Sequence, residues 1–285
     1  MRASRLTCVV ALTAGLVAAP LPTDAQLAGT MPRIAALVVA SPSFPPVEGF
    51  RQGLRELGYV EGRNLAVEYR YAGGKTERYA ELATEAVRLA PDVIVVWGTE
   101  LAQAVRRITP TIPIVLALGD RPVEMGLVAD LARPGGNVTG LATLSFELSA
   151  KRLELLKEVL PTLVRVAVLY APDPRVEPTL KELNVAAGAL GIRLQPLEAR
   201  GPQDFDRAFA AMSRERAAAL LLLPTALSPT HGARLAALAL RQRVPAIGQG
   251  REVVAAGALM AYAANWTDLG RRAATFVDKI LKGAK

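Results

Sequence analysis

Uninterrupted apolar runs alternate along this chain with stretches in which apolar residues recur every three or four positions. Residues 33–40 (RIAALVVA) form the first run, and its length and β-branched content predict a strand buried on both faces. In residues 46–57, Val47, Phe50, Leu54 and Leu57 share one helical face, and Gly58 supplies the stop. Residues 64–71 (NLAVEYRY) alternate as a strand does, 75–89 read as a helix and 92–97 (DVIVVW) as a strand. A helix over 101–108 and a strand over 114–118 (IVLAL) follow. This β-α-β-α order predicts a parallel sheet covered on both faces.

The series then starts again. Residues 165–172 (RVAVLYAP) mirror RIAALVVASP. A helix over 177–190 stops at Gly191 as the earlier one stops at Gly58. A strand over 192–198, a helix over 204–212 and a strand over 218–223 follow. That last strand runs into Pro224-Thr225, where its counterpart runs into Gly98-Thr99. Matching order at matching offsets predicts an α/β chain of two Rossmann-like lobes, each a parallel sheet flanked by helices. The expected lobes are 32–143 with 261–285, and 144–260. A strand over 259–262 leads to a helix over 266–281, which carries Leu269, Ala273, Phe276, Val277 and Ile280 on one face and is expected to pack on the first lobe.

The first residues read as an address. Arg2 and Arg5 precede an apolar run over 6–19, Pro20 and Pro22 break it, and small residues lead to Ala25. This order predicts a secretory signal peptide over 1–25, cleaved after Ala25, with a periplasmic product. The run is short for a bilayer span. Cys8 is the single cysteine, so the processed chain gains nothing from disulfides. The formal charge of +8 is spread among acidic residues on helix faces such as Arg51, Arg55, Glu56 and Glu61, a solvated surface and not a nucleic-acid site. A single histidine, His231, which reads as a surface helix residue, argues against a histidine-based hydrolase or a multi-ligand metal site. No G-x-S-x-G, H-E-x-x-H or G-x-x-x-x-G-K is present. The glycine-rich 133–137 (RPGGN) lacks dinucleotide spacing and reads as a tight turn into a strand over 138–142. No catalytic set, metal or cofactor is expected.

In parallel sheets ligands bind beyond the carboxyl ends of the strands, and two such edges facing each other make a cleft. The expected ligand-binding residues are therefore Ser41, Ser43, Phe44, Gly98, Thr99 and Asp120 from the first series. Tyr170, Asp173, Thr225 and Gln249 come from the second. Hydroxyls and helix-start N–H groups suit an anion, a carboxylate suits an ammonium, and the aromatic rings suit an apolar portion. Ser41, Ser43 and Thr99 suit helix capping equally well, and Asp173 between two prolines suits a turn.

Several segments carry a family resemblance: 50–64 (FRQGLRELGYVEGRN), 92–99 (DVIVVWGT), 112–118 (IPIVLAL), 133–143 (RPGGNVTGLAT), 151–161 (KRLELLKEVLP), 166–172 (VAVLYAP) and 261–282. Across about 33–285 the chain resembles the ABC-transporter substrate-binding proteins whose best-known members bind tryptophan and related amino acids. The resemblance implies a type I periplasmic-binding-protein fold, with two lobes and three hinge crossings closing on a small ligand. It also implies a membrane permease as partner, and the protein is expected to be a monomer that binds no nucleic acid. The chain departs from the family in reading Asp120-Arg121-Pro122-Val123 where relatives have Asp-Pro-Val. It also ends at Lys285, where relatives continue for a strand and a tail, so the C-terminal end reads as truncated. A ligand-binding sensor module and a periplasmic α/β enzyme are the alternatives. A lac-repressor-type regulator would need a helix-turn-helix where this chain has its leader.

Overall fold

The computed structural model describes residues 31–284; the expected leader and its cleavage point lie outside the described residues. Five strands form the first sheet: β1 (Arg33–Val38), β2 (Ala66–Tyr71), β3 (Val93–Trp97), β4 (Ile114–Asp120) and β5 (Val138–Thr143). All pair in parallel, in the order β2-β1-β3-β4-β5. The second sheet contains β6 (Arg165–Tyr170), β7 (Arg193–Glu198), β8 (Ala219–Leu222), β9 (Ala246–Gly248) and β10 (Met260–Ala261). Its order is β10-β9-β8-β6-β7, also parallel. Read from the β7 edge, this is the strand order of the first sheet, so the repeat seen in the sequence is a repeat of topology.

Alternation within β1 and β3 explains why neither strand carries a polar residue between its ends. Ile34, Ala36, Val38, Val93 and Val95 face one core together with α1 (Pro45–Glu56) and α9 (Trp266–Leu281). Ala35, Leu37, Ile94 and Val96 face another with α2 (Tyr79–Arg88) and α3 (Thr99–Ile108). Each buried Val, Leu, Ile or Phe contributes about 1.5–3 kcal/mol. The second sheet is covered by α4 (Leu148–Val159), α5 (Val176–Ala189), α6 (Phe205–Arg214), α7 (Leu227–Arg241) and the short α8 (Arg251–Ala255).

The final helix does return to the first lobe, and small residues let it come close. A Cβ on Gly49 of α1 would sit 2.0 Å from the Thr267 carbonyl oxygen. One on Gly270 of α9 would sit 2.0 Å from that of Pro46. The two helix backbones are therefore in contact. The Asn265 side chain caps α9 by accepting from the Asp268 N–H at 3.1 Å.

Among the described residues the chain passes between the lobes twice, through 144–147 and through 262–265. Ala261, placed with the first lobe from the sequence, pairs with Gly248 in the second sheet. Boundaries elsewhere shift by one to four residues. The expected 75–89 helix opens as a single tight turn over Thr76–Arg78 before α2, and α3 starts two residues early, at Thr99.

Candidate functional site

The carboxyl ends of both sheets meet at a cleft lined from both lobes, where ligands of paired parallel sheets bind. On the first lobe, Gly98 takes φ 123 between β3 and α3, and a Cβ there would come within 2.5 Å of Val39 Cγ1. The turn brings the amino end of α3 to the cleft, with first-turn N–H groups that have no partner inside the helix. The Thr99 hydroxyl accepts from the Asp120 N–H and donates to the Asp120 carbonyl, both at 2.9 Å, tying this turn to the end of β4.

Asp120 is the chemical centre of the first lobe's wall. Its Oδ2 accepts from the Ser145 N–H at 2.6 Å and from the Thr143 hydroxyl at 3.0 Å, whereas its buried Oδ1 has no partner among the described residues. Burial, and then the nearby charge of Glu147, push its carboxyl up to about 6. The extra residue Arg121 does not displace it. Arg121 takes a left-handed conformation (φ 46), leaves the strand, and forms ion pairs with Glu147 in the crossing at 2.9 Å and with Glu182 on the second lobe at 3.3 Å.

On the second lobe, the Thr225 hydroxyl accepts from the Ala171 N–H at 2.9 Å. Gln249 donates to the Leu222 carbonyl at 2.7 Å and accepts from the Ser228 hydroxyl. Asp173 grips Arg175 at 2.6 and 2.8 Å, and the same guanidinium reaches across the cleft to Glu100 while lying 4.7 Å from the Phe146 ring. Burial opposes the Arg175 charge, but the Asp173 hydrogen bond and the Glu100 charge outweigh it and raise its pKa. Burial also raises Glu100.

Of the residues expected from the sequence, Phe44, Gly98, Thr99, Asp120, Thr225 and Gln249 line this cleft. The other four stand off its wall. Ser41 and Ser43 bond each other at 3.0 Å in the loop after β1, and Tyr170 packs beside the second lobe's core. Asp173 acts on the cleft through Arg175. Trp97, which favours core packing by type, does both. It meets Phe50 edge-on at 5.4 Å and lines the cleft with Trp266, which tilts against Phe44 at 5.9 Å. Both indole N–H groups are buried without a partner among the described residues. His231 lies in α7, half-buried and edge-on to Phe205, with its pKa lowered by burial, and does not line the cleft.

Sequence reasoning missed Tyr79, Glu100, Thr143, Ser145, Arg175 and Trp266. Glu100 was within reach, because it follows Gly98-Thr99 directly, and Arg175 shares a turn with Asp173. Tyr79 and Trp266 arrive from helix starts with no local signal. Arg152 of α4 was also missed. Fully buried, it donates to the Ser145 carbonyl at 2.7 Å and the Tyr262 carbonyl at 2.8 Å, one in each crossing between lobes. Burial lowers its pKa to about 10.

The family model for ABC transporter substrate binding proteins matches residues 34–285. The crystal structure of a conserved domain protein from Vibrio cholerae O1 biovar El Tor aligns with a TM-score of 0.79 at 29% identity, covering 90% of this chain and 86% of that one. A protein from Streptococcus pneumonia in complex with L-Trp aligns with a TM-score of 0.81 at 22% identity, with the same coverage, which shows a shared fold. The tyrosine-binding protein of Clostridioides difficile is 35% identical over 124 residues, 43% of this chain, and the match spans 35% of that protein's length.

Proposed function

We propose that this chain, which belongs to the ABC transporter substrate-binding protein family, closes its lobes on an amino acid outside the cytoplasm and delivers it to a membrane permease. The observation that carries the ligand class is a complementary set of unpaired atoms on residues of one cleft. Among the described residues, Asp120 Oδ1 is an acceptor without a donor, and the Trp97 and Trp266 indoles are donors without an acceptor. Leaving a buried polar atom unpaired costs about 1–3 kcal/mol. A zwitterion satisfies both signs: its ammonium donates to Asp120, and its carboxylate accepts from the indoles and from the amino end of α3. Phe44 and the two indole rings supply a wall for an apolar or aromatic side chain. Two proteins similar to this one are described as tyrosine-binding and as holding L-Trp, which supports the class.

The same reading makes the protein a reversible binder and not an enzyme, as befits a family of binding proteins. It acts as a monomer without nucleic acid, and its leader is removed near Ala25. N-terminal sequencing of the secreted protein tests the last point, and an intact Met1 refutes it. The ligand class is tested by a thermal-shift panel of amino acids, their deamino analogues, organic acids and nucleobases. Amino acids with a free ammonium are expected to raise the melting temperature, and deamino analogues are not. A panel without response, or formation of product, contradicts the proposal.

A further inference from the structure

At the end of the second lobe farthest from the cleft, arginines outnumber acidic side chains. β6 and β7 start side by side there, with Arg165 level with Arg193 in the parallel register. The carboxyl ends of α6 and α7 meet at the same end. Ser213 Oγ lies 3.4 Å from Gln242 Oε1, and the Ala218 N–H donates to the Arg165 carbonyl at 3.0 Å. These junctions carry Arg214, Arg216, Arg241 and Arg243, all exposed. Among the described residues none of these four, nor Arg193, forms an ion pair. Glu215 pairs with Arg165 at 2.7 Å, and Glu158 at the end of α4 leans to Lys151 at 3.9 Å.

Arg214 and Arg241 have an ordinary explanation, since a cation in a last turn complements the helix dipole. Arg216 and Arg243 do not. They lie beyond their helices at φ 56 and φ 58, the left-handed position after a helix that glycine fills without strain, as Gly58 and Gly191 do elsewhere in this chain. The chain keeps arginine there at a conformational cost. Exposed apolar side chains stand among the cations: Val164, whose carbonyl accepts from the Arg193 N–H at 2.9 Å, Val159 and Leu240.

We propose that this pole rests on an anionic phospholipid surface. A guanidinium pairs bidentately with phosphate oxygens, and interspersed apolar side chains settle at headgroup level beside bound cations. The inference rests on charge, conformation and topology at the pole and is independent of what the cleft binds.

Co-sedimentation with lipid vesicles tests it. The chain is expected to partition onto vesicles containing phosphatidylglycerol and not onto pure phosphatidylcholine, and to be released by salt. Each arginine at such a surface is worth about fivefold in partitioning, so Arg214→Gln/Arg216→Gln is expected to lose about 25-fold, as is Arg241→Gln/Arg243→Gln. The control is Arg63→Gln/Arg88→Gln, which removes the same charge from exposed positions on the first lobe and is expected to bind as wild type. All forms share the same amino terminus, so its contribution cancels. Denaturant midpoints verify that the variants fold. Equal binding to both vesicle types, or wild-type binding by the pole variants, overturns the proposal. So does an equal loss in the first-lobe control, which would reduce the effect to net charge. Binding to soluble heparin with no binding to vesicles would assign the pole to a soluble polyanion and overturn it as well.

Discussion

Asp120→Asn is predicted to make the ligand-free protein more stable at neutral pH while removing its capacity to bind. An aspartate ionises at 3.8 in the absence of its surroundings and at about 6 in this cleft. Between those values the folded protein holds a proton that the unfolded chain has released, so stability falls as pH rises through the window. The cost is absent at acid pH and complete above about pH 6. A difference of about two pH units corresponds to about 3 kcal/mol. The asparagine amide oxygen can still accept from the Ser145 N–H and the Thr143 hydroxyl, so the local geometry survives. Denaturant unfolding of both proteins between pH 4 and pH 7 isolates this carboxyl, because all other titrating groups are shared. The midpoints are expected to coincide near pH 4 and diverge toward pH 7, with the variant the more stable. A variant less stable at pH 7, or a difference that does not change with pH, would falsify the assignment of Asp120 as a strained, cleft-facing carboxylate.

Other perturbations probe the scaffold. Thr99→Ala removes the partner of both Asp120 backbone groups and is expected to cost about 1–3 kcal/mol in denaturant unfolding. Ligand affinity falling with unchanged stability would instead make Thr99 a direct contact. Arg175→Met leaves Asp173 and Glu100 facing each other unpaired and is expected to cost about 3–5 kcal/mol, part of it recovered in Glu100→Gln/Arg175→Met; additive losses in the double variant refute the pairing. Arg152→Met frees both crossings at once, and small-angle scattering of the ligand-free protein is expected to report a more open mean shape than wild type. Arg152→Lys falls between. Gly270→Ala forces α9 off α1 and is expected to lower the denaturant midpoint sharply, whereas Ala90→Gly, at φ 45 after α2, is expected to raise stability by about 1 kcal/mol; the opposite signs contradict the packing argument.

Much of the architecture was legible because burial writes itself into period. β1 and β3 have no polar residue between their ends because both faces are covered, and β6 and β8 repeat that pattern. α1 and α9 show one apolar stripe each because each has one face to bury. β9 shows no period, because three residues are too few to display one, and α8 is barely longer. The cleft was half legible for a related reason. Residues at strand ends, such as Thr99, Asp120 and Thr225, are placed by the rule that ligands bind where parallel strands finish. Tyr79, Trp266 and Arg152 enter through tertiary packing, and no local spacing announces them. The Ser41–Ser43 pair shows the converse, since its sequence position is right but the loop turns its hydroxyls toward each other.

The central claim is that Asp120 receives the ammonium of a bound amino acid. Calorimetric titration tests it most directly, using an amino acid found in the panel and its deamino analogue, each against wild type and Asp120→Asn. Wild type is expected to bind the amino acid one to one, with about 2.7 kcal/mol of added stability at a hundredfold excess over Kd. The preference over the deamino analogue is expected to collapse in the variant. An unchanged preference in Asp120→Asn would place the ammonium elsewhere and contradict the account.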